Sequence, residues 1–222
     1  MKKLPKINDY ELLRGRVYRI LKNKIIEGEL EEGAKITEAE IANQMGVSKT
    51  PIREALRRLV IEGFITLHPN KRMTITKISP KDIKEVFQLR KVLNGLAARL
   101  VAEKITEDNI VKFNKIIQKM KSFARQNEII KYSKCADGFH FLMMQLSGNE
   151  RLEKLNNNLR DQAYRYRIKS LKEKGRIKES LKEHQKILDA FITRNPEESC
   201  RLCQEHIDNA LNNILQNAYR EN

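Results

Sequence analysis

The chain has no apolar run approaching the ~18 residues needed to span a bilayer, which predicts no membrane segment. Its first residues, Met1-Lys2-Lys3-Leu4-Pro5, carry charge with no apolar stretch behind it, which predicts no signal peptide. Cysteine is scarce. Cys135, Cys200 and Cys203 are odd in number and cannot all pair, which predicts reduced thiols and a cytoplasmic protein. Repeats and low-complexity tracts are missing. A second Cys-x-x-Cys is missing too, so Cys200-x-x-Cys203-x-x-His206 inside a predicted helix is a weak zinc signal and reads as helix-face cysteines. There is no nucleophile motif, no phosphate-binding loop and no clear general base, which weighs against an enzyme such as a metal-dependent hydrolase. Histidine is rare as well, with four in 222 residues, and that rarity makes their placement informative.

What is present is a soluble globular composition, with 40% hydrophobic and 33% charged residues. The length allows one large domain or two small ones. The net charge of +15 favours an acidic partner, and nucleic acid is the commonest. Charge does not say where that partner sits. Residues 1–78 hold 16 Lys and Arg against 10 Asp and Glu, and residues 79–222 hold 28 against 19.

Local pattern separates the halves. Residues 1–9 read as a basic tail. A helix follows, with Leu13, Val17, Ile20, Leu21 and Ile25 at helical spacing, stopping near Gly28. Thr37 caps a short helix that ends at Gly46. Thr50 and Pro51 open another that runs to about Glu62. The period then changes. Phe64–Leu67 and Met73–Thr76 are β-prone around a turn at residues 68–72, which predicts a hairpin. From Ser79 on, only helices are predicted, at about 80–103, 106–125, 127–147, 149–171, 176–194 and 196–219. The fold is therefore expected to be mainly α: a winged helix-turn-helix in residues 1–78 and an all-α helical bundle in residues 79–222.

In a helix-turn-helix, the N-terminal end of the second helix enters the major groove. Ile52, Leu56, Leu59 and Val60 form its inner stripe, while Lys49, Arg53 and Arg57 lie outward. Arg53 can hold a guanine edge with two hydrogen bonds, and Ser48 and Thr50 can bond phosphate. Asn70, Lys71 and Arg72 would form the wing tip, reaching the minor groove or a phosphate.

The run from Gly33-Ala34-Lys35-Ile36-Thr37-Glu38 through Gly46-Val47-Ser48-Lys49-Thr50-Pro51-Ile52-Arg53-Glu54-Ala55-Leu56, continued by Glu62-Gly63-Phe64-Ile65, resembles the GntR family of bacterial regulators. The resemblance implies operator binding as a homodimer, through Ser48, Lys49, Thr50 and Arg53 with a wing tip at Asn70 to Arg72. The family often has Arg-Gly at that tip where this chain has Lys71-Arg72. Leu89-Arg90-Lys91-Val92-Leu93, Asp137-Gly138-Phe139-His140, Ser147-Gly148-Asn149, Glu183-His184 and Glu205-His206 resemble the FadR-like branch and its FCD effector domain, in the shorter six-helix, metal-containing form.

That resemblance implies a divalent metal, zinc first and nickel or iron as alternatives, at His140, His184 and His206. The family's fourth ligand, an Asp four residues before the first His, is Ala136 here. Asp137, three residues before His140, either substitutes with shifted geometry or points elsewhere and leaves water as a ligand. Arg90 lies on the stripe of Ile83, Val86, Leu93 and Ala97. A buried Arg needs an anion, either a structural carboxylate or a small carboxylate effector, with Asn94 beside it in place of the family's Glu. Arg165, Tyr166 and Arg167 read as a solvated or dimer-facing patch. The expected function is a ligand-responsive transcription regulator, a repressor on a palindromic operator. The alternative is a constitutive DNA-binding protein whose helical domain only dimerises.

Overall fold

The aliphatic residues of the first 78 positions and the phenylalanines and methionines of the remainder collect into two separate cores. The computed structural model describes residues 10–77, 79–171, 173 and 175–218. The tail expected at residues 1–9 lies outside them. The chain divides into two compact units, residues 1–78 and residues 79–222.

The first unit holds α1 (Tyr10–Ile26), β1 (Lys35–Ile36), α2 (Glu38–Met45), α3 (Lys49–Ile61), β2 (Ile65–Leu67) and β3 (Met73–Ile75). The apolar spacing of α1 and α3 dictates their packing. Val17, Leu21 and Ile25 join Ile52, Leu56 and Leu59 in one buried cluster. Thr37 caps α2 by accepting the Glu40 N–H at 3.2 Å. Gly46 ends that helix with φ +65, a conformation that favours glycine. Thr50, the expected cap of α3, lies inside the first turn, and Ser48 is the capping position, without a side-chain capping bond. The expected hairpin has a third strand. Lys35–Ile36 pairs with β3, giving the order β1-β3-β2. Two residues are too few to show alternation in a sequence. What places them is Gly33, at φ +79, whose N–H donates to the Ile75 carbonyl at 2.9 Å. The end of α3 is tied to α1 where the Tyr18 hydroxyl donates to Glu62 at 2.5 Å, Lys22 donates to the same oxygen and Arg58 stacks over the Tyr18 ring.

The second unit is α4 (Pro80–Lys104), α5 (Glu107–Arg125), α6 (Ile129–Leu146), α7 (Glu150–Leu171), α8 (Arg176–Ile192) and α9 (Pro196–Ala218). Short polar side chains start these helices. Ser79 and Asp82 cap α4 reciprocally. Asn149 and Asn195 accept the Leu152 and Glu198 N–H groups at the starts of α7 and α9, each at 3.1 Å. The core centres on Phe113, Phe139 and Phe191, with ring centroids 4.8 and 5.2 Å from Phe113. Gly95 lets α9 lie close against α4, since a Cβ there would stand 2.7 Å from Gln204 Nε2 and 3.1 Å from Cys200 Sγ. These contacts hold α4, α6, α8 and α9 as the walls of one interior site.

Phe113 is fully buried among two other rings. Phe113→Ala should destabilise the helical unit by about 3–5 kcal/mol, from lost burial plus a residual cavity. Denaturant unfolding followed by helical circular dichroism checks this. A loss below about 1 kcal/mol would mean that the core refills.

Candidate metal centre and nucleic-acid interface

His140 comes from α6, His184 from α8 and His206 from α9, and all three are buried. One ring nitrogen of each lies within 4.8 Å of the other two. Hydrogen bonds set where the protons sit. His184 Nδ1 lies 2.7 Å from the Ser180 carbonyl, which only an N–H can satisfy, so its Nε2 carries a lone pair. That Nε2 is buried with no partner. His206 Nδ1 lies 2.6 Å from Glu183 Oε2 and donates to it, which makes its Nε2 an acceptor too. His140 Nε2 sits 3.2 Å from His206 Nε2, and its own Nδ1 is buried and unpartnered.

Buried acceptors without donors cost roughly 1–3 kcal/mol each. A divalent cation among them supplies the missing partner. Two nitrogens of a tetrahedral zinc stand about 3.3 Å apart, given Zn–N near 2.0–2.1 Å, and the 3.2 Å between His140 and His206 suits that. The donor set therefore fits a metal. Neutral imidazoles are also what burial enforces. Desolvation lowers the proton affinity of His140 well below normal, brings His184 down to about 3, and lowers His206 despite the opposing carboxylate of Glu183.

Asp137 is not among these ligand atoms. Both of its oxygens are taken by the two Nη groups of Arg167, whose Nε donates to Ser133 Oγ at 3.2 Å. A position three residues before His140 shares its helix face only in part, and the nearby guanidinium claims the carboxylate. Arg167 is correspondingly not part of a solvated patch. It is largely buried and lines the cavity. Tyr166 is half-buried, and the Arg165 side chain lies outside the described residues. Ala136, by contrast, does line the cavity. The two cysteines of α9 stay out of the cluster, with the Cys203 thiol pushed up to about 12 by burial.

The cavity is lined by Phe87 and Arg90 of α4, Ala136 and His140 of α6, Arg167 and Ser170 of α7, Arg176, Ser180 and His184 of α8, and His206 and Ala210 of α9. Its free space is only ≈ 20 Å³, enough for a water or an ion. Three arginines face it, and two are compensated: Arg167 by Asp137, and Arg176 by Glu183 at 2.8 and 3.0 Å. Arg90 is 4% exposed, its Nε has no partner, and no carboxylate among the described residues pairs with it. Burial, then the neighbouring Arg167 charge, brings its pKa down to about 10, so it remains a cation at neutral pH. Asn94 does not line the cavity. Its Nδ2 donates to the Arg90 carbonyl at 2.8 Å and to Asn156 at 3.2 Å, while its Oδ1 is buried without a partner. Sequence reasoning missed Glu183, Ser180 and Arg176 as partners of the site. A Glu directly before His184 was the one visible hint, and its partner His206 is a helix away.

In the first unit, Ser48 at the cap of α3 and Lys49, Thr50, Arg53 and Arg57 along it are all exposed, and Asn70, Lys71 and Arg72 are exposed at the hairpin tip. The first turn of α3 has no acidic residue, and Ser48 makes no side-chain cap, so its backbone N–H groups are open to an anion. Arg53 is braced from outside its helix. Its Nε and Nη2 donate to Glu38 of α2 at 2.7–3.0 Å, a pairing in which Nη1 takes no part. At the tip, Asn70 Oδ1 accepts the Arg72 N–H at 3.1 Å and Lys71 takes φ +60. A lysine therefore holds a left-handed turn that a glycine would adopt more easily.

The pattern of the bacterial regulatory proteins of the gntR family matches residues 13–75, and that of the FCD domain matches residues 85–209. The chain is 29% identical over 196 residues to the HTH-type transcriptional regulator YdhC of Bacillus subtilis, covering 88% of this chain and 86% of that one. It is 22% identical to the HTH-type transcriptional repressor RspR of Escherichia coli, covering 95% and 92%. Among solved structures, Escherichia coli McbR/YncC shares the fold with a TM-score of 0.78 at 20% identity, covering 93% of this chain and 98% of that one. YdhC, RspR and McbR are named as transcription regulators or repressors. No helix among the described residues is long and apolar enough to cross a membrane.

The buried histidines set a pH dependence. In the unfolded chain they titrate near 6.5. Folded, they hold protons only at lower pH, to about 3 for His184. Between these values the unfolded chain binds more protons, so stability is complete above about pH 6.5 and falls as pH drops through this window. The melting midpoint of metal-free protein should fall steadily from pH 7 to pH 4.5, and less so in His184→Gln. Equal acid sensitivity in the two proteins would refute the assignment.

Proposed function

The chain belongs to the GntR family of bacterial regulatory proteins and carries an FCD domain behind its winged helix, and we propose that it is a metal-dependent sensor of a small organic acid that controls its own grip on operator DNA. The observation that carries this reading is the cavity where the unpartnered His184 Nε2 and the paired Nε2 atoms of His140 and His206 meet a buried guanidinium that no carboxylate among the described residues pairs with. His140, His184 and His206 would hold the metal, zinc being best suited to imidazole in tetrahedral geometry and nickel or iron the alternatives. Bound there, the metal supplies a Lewis-acidic position for one carboxylate oxygen. Arg90 supplies the charge and donors for the rest of the anion.

The tightness of the cavity gives the sensor its mechanism. Free space of ≈ 20 Å³ cannot hold an organic acid. Entry of the effector must part the helices that line it, so its binding energy is coupled to a change in helix packing. Arg90 stands on α4, the first helix after the winged unit's last strand. Movement of α4 is thus the shortest covalent route from effector to DNA. The coupling must be reciprocal: whatever factor the effector applies to DNA affinity, DNA applies to effector affinity.

On the DNA side, Lys49, Thr50, Arg53 and Arg57 would meet the major groove and its phosphates, with Asn70, Lys71 and Arg72 alongside. A palindromic operator requires two copies. Leu89, Val92 and Leu96 of α4 stand 57%, 62% and 40% exposed at helical spacing, which supports a homodimer through this apolar face. Repression is the direction favoured by the repressor name of one relative.

Thermal melting with small organic acids, with and without zinc, tests the sensor. An acid should raise the midpoint only when zinc is present. Arg90→Ala should abolish that rise while leaving the zinc-only shift in place. His184→Ala should abolish both. An acid that stabilises equally well in chelator would rule out the metal-linked site. Arg53→Ala should weaken binding to a selected operator by about 5- to 150-fold, corresponding to 1–3 kcal/mol for one bidentate contact, with anisotropy titration as the measure.

A further inference from the structure

The three histidines are not supported alike. His184 is oriented by a backbone carbonyl, and His140 Nδ1 has no partner. His206 alone leans on a charge. Four donors converge on Glu183: Arg176 Nη1 on Oε1 at 2.8 Å, Arg176 Nη2 on Oε2 at 3.0 Å, Asn209 Nδ2 on Oε1 at 3.1 Å and His206 Nδ1 on Oε2 at 2.6 Å. Each oxygen accepts twice, so the carboxylate's acceptor sites are filled. Arg176 is itself buried, at the first position of α8 and seven residues before Glu183. It lines the cavity, yet its fork is spent inside the protein.

We propose that Glu183, clamped by Arg176, is a positioning residue for the histidine cluster: it fixes the His206 proton on Nδ1 and so presents an unprotonated Nε2 to the cavity. This rests on the reading of the three histidines as metal ligands. A metal-ligating histidine gains basicity and orientation when its other nitrogen donates to a carboxylate. The same arrangement distinguishes the cavity's arginines by task. Arg176 secures the metal side, while Arg90 is left for the ligand.

Glu183→Gln separates this role from a simple helix tie. An amide has one acceptor oxygen and two N–H donors, while all four partners in the site are donors. With its oxygen in the Oε1 place, where Arg176 Nη1 and Asn209 Nδ2 donate, the Gln aims an N–H at His206 Nδ1, a partner that can become an acceptor by shifting its proton. The imidazole then moves its proton to Nε2, into the cavity. Long-range proton–nitrogen NMR correlations on the metal-free protein should show His206 as the Nδ1–H tautomer in the wild type and as Nε2–H in the variant. Competition with a chromophoric chelator should show Zn²⁺ affinity reduced about 10- to 100-fold. Should Glu183→Gln not fold, Arg176→Lys keeps the charge but gives up one arm of the clamp, and both readouts should move the same way by less. A folded variant with a lower melting midpoint, an unchanged His206 tautomer and zinc affinity within twofold would reduce Glu183 to a structural tie and overturn the proposal. Absence of zinc uptake by the wild type would instead sink the metal reading, while the tautomer result would still decide where Glu183 holds the proton.

Discussion

Three imidazoles cannot be buried side by side as cations. Each would add an uncompensated charge to a low-dielectric interior, and the three would repel one another and the nearby Arg90. The helical unit resolves this by holding them neutral. Neutrality, however, turns the difficulty into a shortage of donors, because one N–H between His140 and His206 leaves the lone pair of His184 Nε2 with no partner. Much of the surrounding architecture answers that shortage. The Ser180 carbonyl and Glu183 fix the outer nitrogens, Arg176 steadies Glu183, and Arg167 draws Asp137 aside. What the protein leaves undone at the centre is what a cation would complete.

The same accounting separates charges that serve the fold from one that does not. Arg167 and Arg176 each meet a carboxylate inside the bundle. Arg90 meets an aromatic ring, Phe87, with centroid distance 5.0 Å, and a bare Nε direction. A guanidinium buried without an anion is costly to keep.

Much of the fold was legible in the sequence. The six helices of the second unit stand within a few residues of their expected spans, because Ser79, Asn149 and Asn195 are local signals whose partners lie three residues away. The two-residue strand β1 was not legible, since it depends on a backbone bond from Gly33 to distant Ile75. The histidines could be picked out because there are so few of them. Their supports could not, since Glu183 to His206 and Asp137 to Arg167 are contacts between helices that no short-range period encodes. Asp137 lies on Arg167, and Asn94 on Asn156, for a reason outside sequence spacing. Helical spacing says which side chains share a face, and not which neighbour on the opposing helix will claim them.

The brace between Glu38 and Arg53 bears on how the first unit would discriminate among DNA sequences. A free cation on a protein surface gains affinity for any duplex by displacing the ions condensed on phosphate, and that gain shrinks as salt rises. Arg53 is already matched by a carboxylate. It has little of that indiscriminate attraction left to contribute. What remains is direction: a planar group held at a set angle. Lys49 and Lys71 would then govern how tightly the protein holds DNA of any sequence, and Arg53 how sharply it prefers one.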